Sequence, residues 1–253
     1  MHVNGSYPPC RFVVLAAPRT GSNWLCTLLD SHPRVLCHHE LFNPDGIHLS
    51  RRLAARRELG ALELGTLEER ARAPAALLDR AWRAHLGHQC VGFKLNLGQD
   101  PRAFDQVLSD PGARKIVLRR RNRVRTFVSE AIAQRTGDWD SYPGLPPRPD
   151  PPRLTVAAPE LRAHAERNRA YYAALERRLV AAGRPWIEVV YERLEEPAER
   201  ERILAFLGVP GAPLVAGTRR QHPQPLRELI GNFEELREQL RGSDLEEELC
   251  AGG

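Results

Sequence analysis

The chain alternates short apolar runs with amphipathic segments. The first run, residues 11–17, is rich in β-branched and aromatic residues and ends at Pro18, which is typical of a fully buried strand. Later runs of the same character lie at 35–37, 90–97, 115–119 and 186–191. Apolar runs separated by helical segments predict a three-layer α/β fold, with a central parallel sheet of about five strands and helices on both faces.

The segments between these runs have helical spacing. After the first run, Trp24, Leu25, Leu28 and Leu29 recur on one helical face. Two or three helices are predicted within 48–87, and others are predicted through 133, over 160–182 and over 229–240. We expect residues 1–253 to form one domain, with the proline-rich stretch 142–153 as a candidate lid.

Composition narrows the classes of protein. The formal net charge of +5, with Arg far outnumbering Lys, indicates an anionic partner such as nucleic acid, an anionic surface or an anionic cofactor. The five cysteines are scattered and form no CxxC pair, so we expect reduced thiols and no metal site. Since no run of about 18 apolar residues occurs and the first apolar stretch lacks a preceding basic pair, we expect a cytoplasmic protein without a membrane span.

The most informative stretch is the turn between the first predicted strand and the first predicted helix. A helix N-terminus has unpartnered N–H groups and favours an anion. Gly21 lets a phosphate approach the backbone, Thr20, Ser22 and Asn23 supply side-chain donors, and Arg19 supplies a charge. The stretch therefore predicts a phosphate site; the alternative is an ordinary turn whose polar residues only cap the helix.

The turn also differs from a nucleoside triphosphate loop, because no GK[ST] follows the glycine. Its sequence, PRTGSNW, resembles the 5′-phosphosulfate loop of sulfotransferases, which use 3′-phosphoadenosine-5′-phosphosulfate (PAPS). In that resemblance Trp24 occupies the position that stacks on adenine. An ATP-dependent kinase of a small hydroxyl compound is an alternative that the missing GK[ST] disfavours.

A second match lies past the midpoint of the chain. Arg121 and Ser129 are eight residues apart and resemble the RxxxxxxxS site that holds the ribose 3′-phosphate in sulfotransferases. Arg219 and Arg220 weakly resemble a loop that assists at the same phosphate. The arginine run around Arg121 also permits a basic nucleic-acid-binding module, which is disfavoured because few aromatic residues are interleaved with it.

Candidate acid–base residues follow the second predicted strand. Glu40 can take a proton from an acceptor hydroxyl, and His38 or His39 can do so with a pKa nearer neutrality; the alternative is a solvated loop. The segment ELFNP resembles bacterial carbohydrate sulfotransferases in which the Glu is the base. Lys94 matches a family position that faces the sulfuryl group, but Asn96 stands where animal enzymes have a catalytic His, which strengthens Glu40.

The resemblance implies a P-loop-like fold and transfer of a sulfuryl group from PAPS to a hydroxyl of a small-molecule or carbohydrate acceptor, with adenosine 3′,5′-bisphosphate as product. It implies Glu40 as general base, with His39, Lys94 and Arg19 as further catalytic residues, and no metal. A homodimer is the default expectation for assembly. The stretch 142–153 is expected to determine acceptor specificity. A predicted cluster with helical spacing is a candidate site for an anionic acceptor and comprises Arg51, Arg52, Arg56 and Arg57.

Overall fold

The computed structural model describes residues 7–54, 64–140, 142, 150–218 and 221–251. Five parallel strands form one sheet in the order β2-β3-β1-β4-β5, which confirms the predicted architecture. The strands are β1 (Cys10–Ala16), β2 (Val35–Glu40), β3 (Cys90–Asn96), β4 (Ala113–Arg119) and β5 (Trp186–Val190). Since β1 is central and the chain places strands on both sides of it, the turn after β1 opens at the middle of the carboxyl edge, where ligands bind in such sheets.

Helices connect the strands and cover the sheet. Those before β4 are α1 (Ser22–Asp30), α2 (Arg51–Ala54), α3 (Leu67–Arg72), α4 (Pro74–Arg83) and α5 (Pro101–Ser109). Those after β4 are α6 (Arg123–Thr136), α7 (Ala158–Ala182), α8 (Pro197–Leu207), α9 (Leu226–Leu229), α10 (Phe233–Gln239) and α11 (Asp244–Ala251). A 3₁₀ turn at Tyr191–Arg193 follows β5. Within the described ranges, no helix is long and apolar enough to cross a membrane.

Two apolar layers lie on opposite faces of the sheet, because successive residues of a strand point to opposite sides. Val13 and Leu15 of β1 pack in one layer with α4, α5 and α7. Phe12 and Val14 pack in the other layer with α1 and α8. A third cluster joins α6 and α7 to the three C-terminal helices, which explains how the segment after 225 docks on the main body.

The structure moves several predicted boundaries. β2 extends to Glu40, three residues past the predicted end, and its pairing with β3 is irregular between Cys37 and Glu40. The helix predicted over 229–240 is interrupted, since α9 ends at Leu229 and α10 begins at Phe233. The interruption has a physical cause: the backbone at 230–231 pairs with Leu154, whose carbonyl accepts the Gly231 N–H at 2.7 Å.

Candidate active site

The turn after β1 adopts a strained conformation that exposes the N-terminus of α1. Arg19 has φ 61° and Gly21 has φ 88°, and Gly21 caps α1. Thr20 is buried, and its Oγ1 donates to the Ala17 carbonyl at 2.8 Å, so this hydroxyl stabilises the turn itself. The first N–H groups of α1 have no partner within the helix, and they lie where the helix dipole favours an anion.

Tyr191 forms the wall behind this turn. A Cβ at residue 21 would overlap Cδ2 and Cε2 of the Tyr191 ring, so only glycine fits both the backbone angle and the space. The Trp24 ring meets Tyr191 edge-on with centroids 5.4 Å apart. On another side the Arg120 guanidinium lies 4.7 Å from the Tyr191 ring centroid, and its Nη1 donates to the Arg19 carbonyl at 3.2 Å. The two aromatic rings and Arg120 thus brace the turn.

The turn contacts the second sequence motif directly. Arg19 Nε donates to Ser129 Oγ at 3.0 Å, across a separation of 110 residues. The other guanidinium nitrogens of Arg19 donate to the Trp139 carbonyl and to the Gln221 side chain. Ser129 is buried on α6, so its hydroxyl is presented to the turn from a fixed helix. Gln221 follows Arg219 and Arg220, which lie outside the described residues.

Arg121 is the other residue of that motif, and its surroundings differ from those of Ser129. The side chain of Arg121 is exposed, and its backbone N–H donates to Glu192 Oε1 at 3.1 Å. The preceding residue, Arg120, is the arginine that contacts the turn. The structure therefore brings Arg19 and Ser129 together and leaves Arg121 at the rim of the site.

Lys94 connects the turn with the carboxylate of Glu40. Its side chain is 3% exposed, and its Nζ lies 2.6 Å from Glu40 Oε1. The same ammonium donates to the side-chain oxygen of Asn23 and lies 3.5 Å from Ser22 Oγ. Asn23 in turn donates to the carboxylate of Asp140. One buried cation thus contacts both the helix N-terminus and the candidate base.

Glu40 is held by three amides as well as by Lys94. Asn43 Nδ2 and Gln99 Nε2 each donate to its Oε2 at 2.7 Å, and Asn96 Nδ2 donates to its Oε1 at 3.1 Å. Burial alone would raise the pKa of Glu40, but Lys94 and the amide donors outweigh it and hold the pKa below its ordinary value. The carboxylate is therefore ionised at neutral pH.

The two histidines before Glu40 are buried and neutral. Burial, with smaller contributions from Lys94 and Arg51, lowers the pKa of His39 to about 3. His39 Nδ1 lies 3.1 Å from Asn23 Oδ1, which fits an imidazole that donates from Nδ1. Burial, followed by the nearby His88, lowers the pKa of His38 to about 4. The expectation of a histidine that titrates near neutrality is not met, because burial favours the uncharged ring.

The structure describes two residues of the predicted arginine cluster, Arg51 and Arg52, and they make different contacts. The Arg51 guanidinium stacks on the Tyr142 ring, 3.4 Å from its centroid, and that ring meets His39 edge-on at 6.4 Å. Arg52 instead donates to the Val35 carbonyl at 2.8 Å and is part of the framework. Arg56 and Arg57, like most of the proline-rich stretch, lie outside the described residues.

The assembled groups suit the transfer of an anionic group. The α1 N-terminus, Lys94 and Arg19 supply positive charge on one side, and an ionised carboxylate stands beside them. In the part of the chain that the structure describes, no group of three or more His, Cys, Asp or Glu residues has the arrangement of a metal site.

Residues 11–213 match the family model of the Sulfotransferase family. The chain belongs to the sulfotransferase family. Nodulation protein H of Rhizobium tropici is 31% identical over 245 aligned residues, which cover 92% of this chain and 90% of that protein. Nodulation protein H of Rhizobium meliloti (strain 1021) is 31% identical over 258 aligned residues, which cover 92% of each protein. A solved sulfotransferase from Alicyclobacillus acidocaldarius shares the fold, with a TM-score of 0.50, 17% identity, and coverage of 93% of this chain and 90% of that chain.

Family membership identifies this sulfotransferase as an enzyme that transfers sulfuryl groups on a P-loop-like fold. It favours that reaction over the kinase and the nucleic-acid-binding module that the sequence left open. The strained turn after β1 and the carboxylate at the end of β2 lie on the same edge of this sulfotransferase.

Tyr172 is a structural residue of the sulfotransferase site that no sequence motif indicates. Tyr172 of α7 donates through its hydroxyl to the Leu118 carbonyl at 2.7 Å and accepts the Ala17 N–H at 3.0 Å. It therefore ties the carboxyl ends of β1 and β4 together immediately before the turn, and burial raises its pKa to about 12. Its position on the apolar stripe of α7 predicts packing, but no local pattern indicates the two backbone partners.

Proposed function

We propose that this enzyme transfers a sulfuryl group from PAPS to a hydroxyl of a small-molecule or carbohydrate acceptor. The observation that carries the proposal is the hydrogen bond between Arg19 Nε and Ser129 Oγ at 3.0 Å. This contact supports the proposal because it joins two motifs that the sequence presents separately, one suited to a phosphosulfate and the other to a ribose phosphate. A donor with phosphate groups at its 3′ and 5′ positions needs such a pair of neighbouring anion sites.

The residues present fit this donor. Ser22 and Asn23 begin α1, whose unpartnered N–H groups favour an anion, so the turn suits the 5′-phosphosulfate. Ser129 and Arg121 would hold the 3′-phosphate, with Arg219 and Arg220 as further candidates. The exposed Arg121 would have to turn inward from the rim. Trp24, which packs against Tyr191, would stack on the adenine.

The chain's own groups supply the acid–base and electrostatic parts of the reaction. Glu40, ionised and within reach of Lys94, takes the proton of the acceptor hydroxyl. The acceptor oxygen bonds to sulfur while the bond from sulfur to the oxygen of the 5′-phosphate breaks, and its electron pair leaves with the phosphate. Lys94, Arg19 and the N–H groups of α1 stabilise the charge on the sulfuryl and leaving oxygens. Neutral His39 orients Asn23 in this proposal.

Transfer of labelled sulfate from PAPS tests the proposal. The purified enzyme is incubated with labelled PAPS and with 4-nitrophenol, glucose or cellobiose, and sulfated products are separated by chromatography. We expect sulfation of at least one acceptor, and a loss of about a hundredfold or more in Glu40→Gln. Absence of transfer together with absence of calorimetric binding of adenosine 3′,5′-bisphosphate would contradict the proposal. A thermal shift with ATP and magnesium but none with the bisphosphate would favour a kinase.

The cell compartment and the assembly are part of the same proposal. Cys10, Cys26, Cys37 and Cys90 are buried and free, and Cys250 is exposed and free. Free thiols are typical of reducing compartments, which supports a cytoplasmic enzyme. The stretch 142–153 stays a candidate lid with a role in acceptor choice, and a homodimer stays a prediction that sedimentation would test.

A further inference from the structure

The carboxylate of Glu40 has more partners than an ion pair needs. Its Oε2 accepts from Asn43 and Gln99, and its Oε1 accepts from Asn96 and Lys94. A carboxylate offers about four acceptor positions, so these four donors occupy about all of them. An acceptor hydroxyl can reach Glu40 only if one donor leaves.

Two of the amides are fixed at both of their ends. Gln99 Oε1 accepts the Asn96 N–H at 3.0 Å, which leaves its Nε2 to face Glu40. Asn43 Oδ1 accepts the Asp45 N–H at 2.9 Å, which leaves its Nδ2 to face Glu40. Since the oxygen of each amide is engaged by backbone, its N–H group is aimed at the carboxylate by the fold.

Lys94 is the donor best placed to leave. Its ammonium has three N–H groups, and its neighbours are Glu40 Oε1, the Asn23 side chain and Ser22 Oγ. Ser22 and Asn23 belong to the turn assigned above to the phosphosulfate. An anion bound there competes with Glu40 for the ammonium, whereas the neutral amides have no comparable attraction to it.

We propose that Asn43, Asn96 and Gln99 are positioning residues that hold the Glu40 carboxylate in place while Lys94 turns to the donor. The position that Lys94 leaves on Oε1 then receives the acceptor hydroxyl. The inference rests on the proposed function, and it makes donor binding precede productive acceptor binding. Asn96, at the position where animal enzymes have a catalytic His, thus serves the base and is not itself the base.

Ionisation of Glu40 reports on this arrangement. The titratable or charged groups that face it are Lys94 from β3 and His39 from β2, with Arg51 acting on His39. Each amide N–H favours the charged carboxylate, so removing one raises the pKa of Glu40 and moves the acid limb of the kcat profile to higher pH. A merely structural role for the amides would leave that limb where it is.

Gln99→Glu is the sharpest variant, because it keeps the shape and an oxygen for the Asn96 N–H but replaces the donor with a second carboxylate. We expect kcat to fall about tenfold or more, the acid limb to move to higher pH, and the affinity for adenosine 3′,5′-bisphosphate to stay within about twofold. Gln99→Met, which only removes the donor, has a smaller effect in the same direction. The control is Gln106→Met, at an exposed position of α5.

Rates are measured with whichever of 4-nitrophenol, glucose and cellobiose the wild type sulfates fastest. Circular dichroism shows whether each variant is folded. Asn96→Ala repeats the test if the Gln99 variants do not fold. Unchanged kcat and an unchanged acid limb in folded variants would overturn the inference, as would a loss of bisphosphate affinity equal to the loss of kcat. If the Glu40→Gln enzyme is active, Glu40 is not the base and the proposed function fails at that residue. If Glu40→Gln is inactive but the Gln99 variants have normal kcat and pH profiles, only the role of the positioning residues is refuted.

A second measurement needs no acceptor. Binding of adenosine 3′,5′-bisphosphate is followed by calorimetry near pH 5 in two buffers that differ in ionisation enthalpy. If Lys94 leaves Glu40 on binding, the pKa of Glu40 rises and the wild type takes up more protons than Glu40→Gln. Equal proton uptake by the two proteins would show that the ion pair stays closed.

Discussion

Replacing Gly21 with alanine perturbs the turn at its tightest point. The new Cβ would overlap Cδ2 and Cε2 of Tyr191 and lie 3.3 Å from its Cγ. The left-handed backbone, at φ 88°, costs an alanine about 1–2 kcal/mol. Displacing a packed ring adds about 1–3 kcal/mol, so we expect Gly21→Ala to lower the free energy of unfolding by about 2–5 kcal/mol.

The same change reaches the donor site. Tyr191 packs against Trp24 and under the Arg120 guanidinium, which itself holds the Arg19 carbonyl. A displaced ring therefore disturbs both the aromatic wall and the turn. We expect the affinity for adenosine 3′,5′-bisphosphate to fall by about tenfold or more, which corresponds to about 1.4 kcal/mol.

Urea denaturation and titration calorimetry measure the two effects. Gly183→Ala is the matched control: its φ is 60° and a Cβ there meets nothing within 4 Å, so it carries the backbone cost alone. Adding Tyr191→Ala to Gly21→Ala should cost less than the sum of the single changes, because the clash is already relieved. A Gly21→Ala protein that is no less stable than Gly183→Ala and binds the bisphosphate normally would show that Tyr191 does not restrict residue 21.

Three further changes probe other parts of the site. Tyr172→Phe removes the hydroxyl partner of two buried backbone groups and should lower the free energy of unfolding, measured in urea, by about 1–3 kcal/mol. Tyr171→Phe is the control, because the Tyr171 hydroxyl has no hydrogen bond to a described residue, and it should be near neutral. Equal losses of stability in the two variants would contradict this. Lys94→Met should lower kcat about a hundredfold or more in the sulfate-transfer assay, and an unaltered kcat would remove Lys94 from the mechanism. His38 and His39 bind protons below about pH 6.5 in the unfolded chain, but their pKa values in the folded chain are about 4 and about 3. The free energy of unfolding in urea should therefore fall as the pH drops from 6.5 towards 4. His38→Asn should make this pH dependence weaker.

The strands and their parallel order follow from features that are local in the sequence. Continuous apolar runs bury both faces of a strand, and amphipathic spacing between them requires crossover helices, so the sheet is predictable. The break between α9 and α10 is not, because it depends on pairing with Leu154, which is remote in sequence.

The candidate site is predictable to the extent that its residues share a short motif. Glu40 ends β2 and Lys94 lies near the end of β3, so both reach the carboxyl edge of the sheet, where they form an ion pair. The amide partners of Glu40 are not predictable, because Gln99 reaches it from a turn after β3 that has no distinctive sequence. The contact of Arg120 with the turn is not predictable either, because the eight-residue spacing to Ser129 indicates the neighbouring Arg121 instead.

A crystal structure of this sulfotransferase with adenosine 3′,5′-bisphosphate would show whether the two motifs bind one nucleotide. We expect one nucleotide that spans both motifs, with its 5′-phosphate on the N–H groups of Ser22 and Asn23 and its 3′-phosphate on Ser129 and Arg121. A nucleotide that leaves either the α1 N-terminus or Ser129 without a phosphate contact would contradict it.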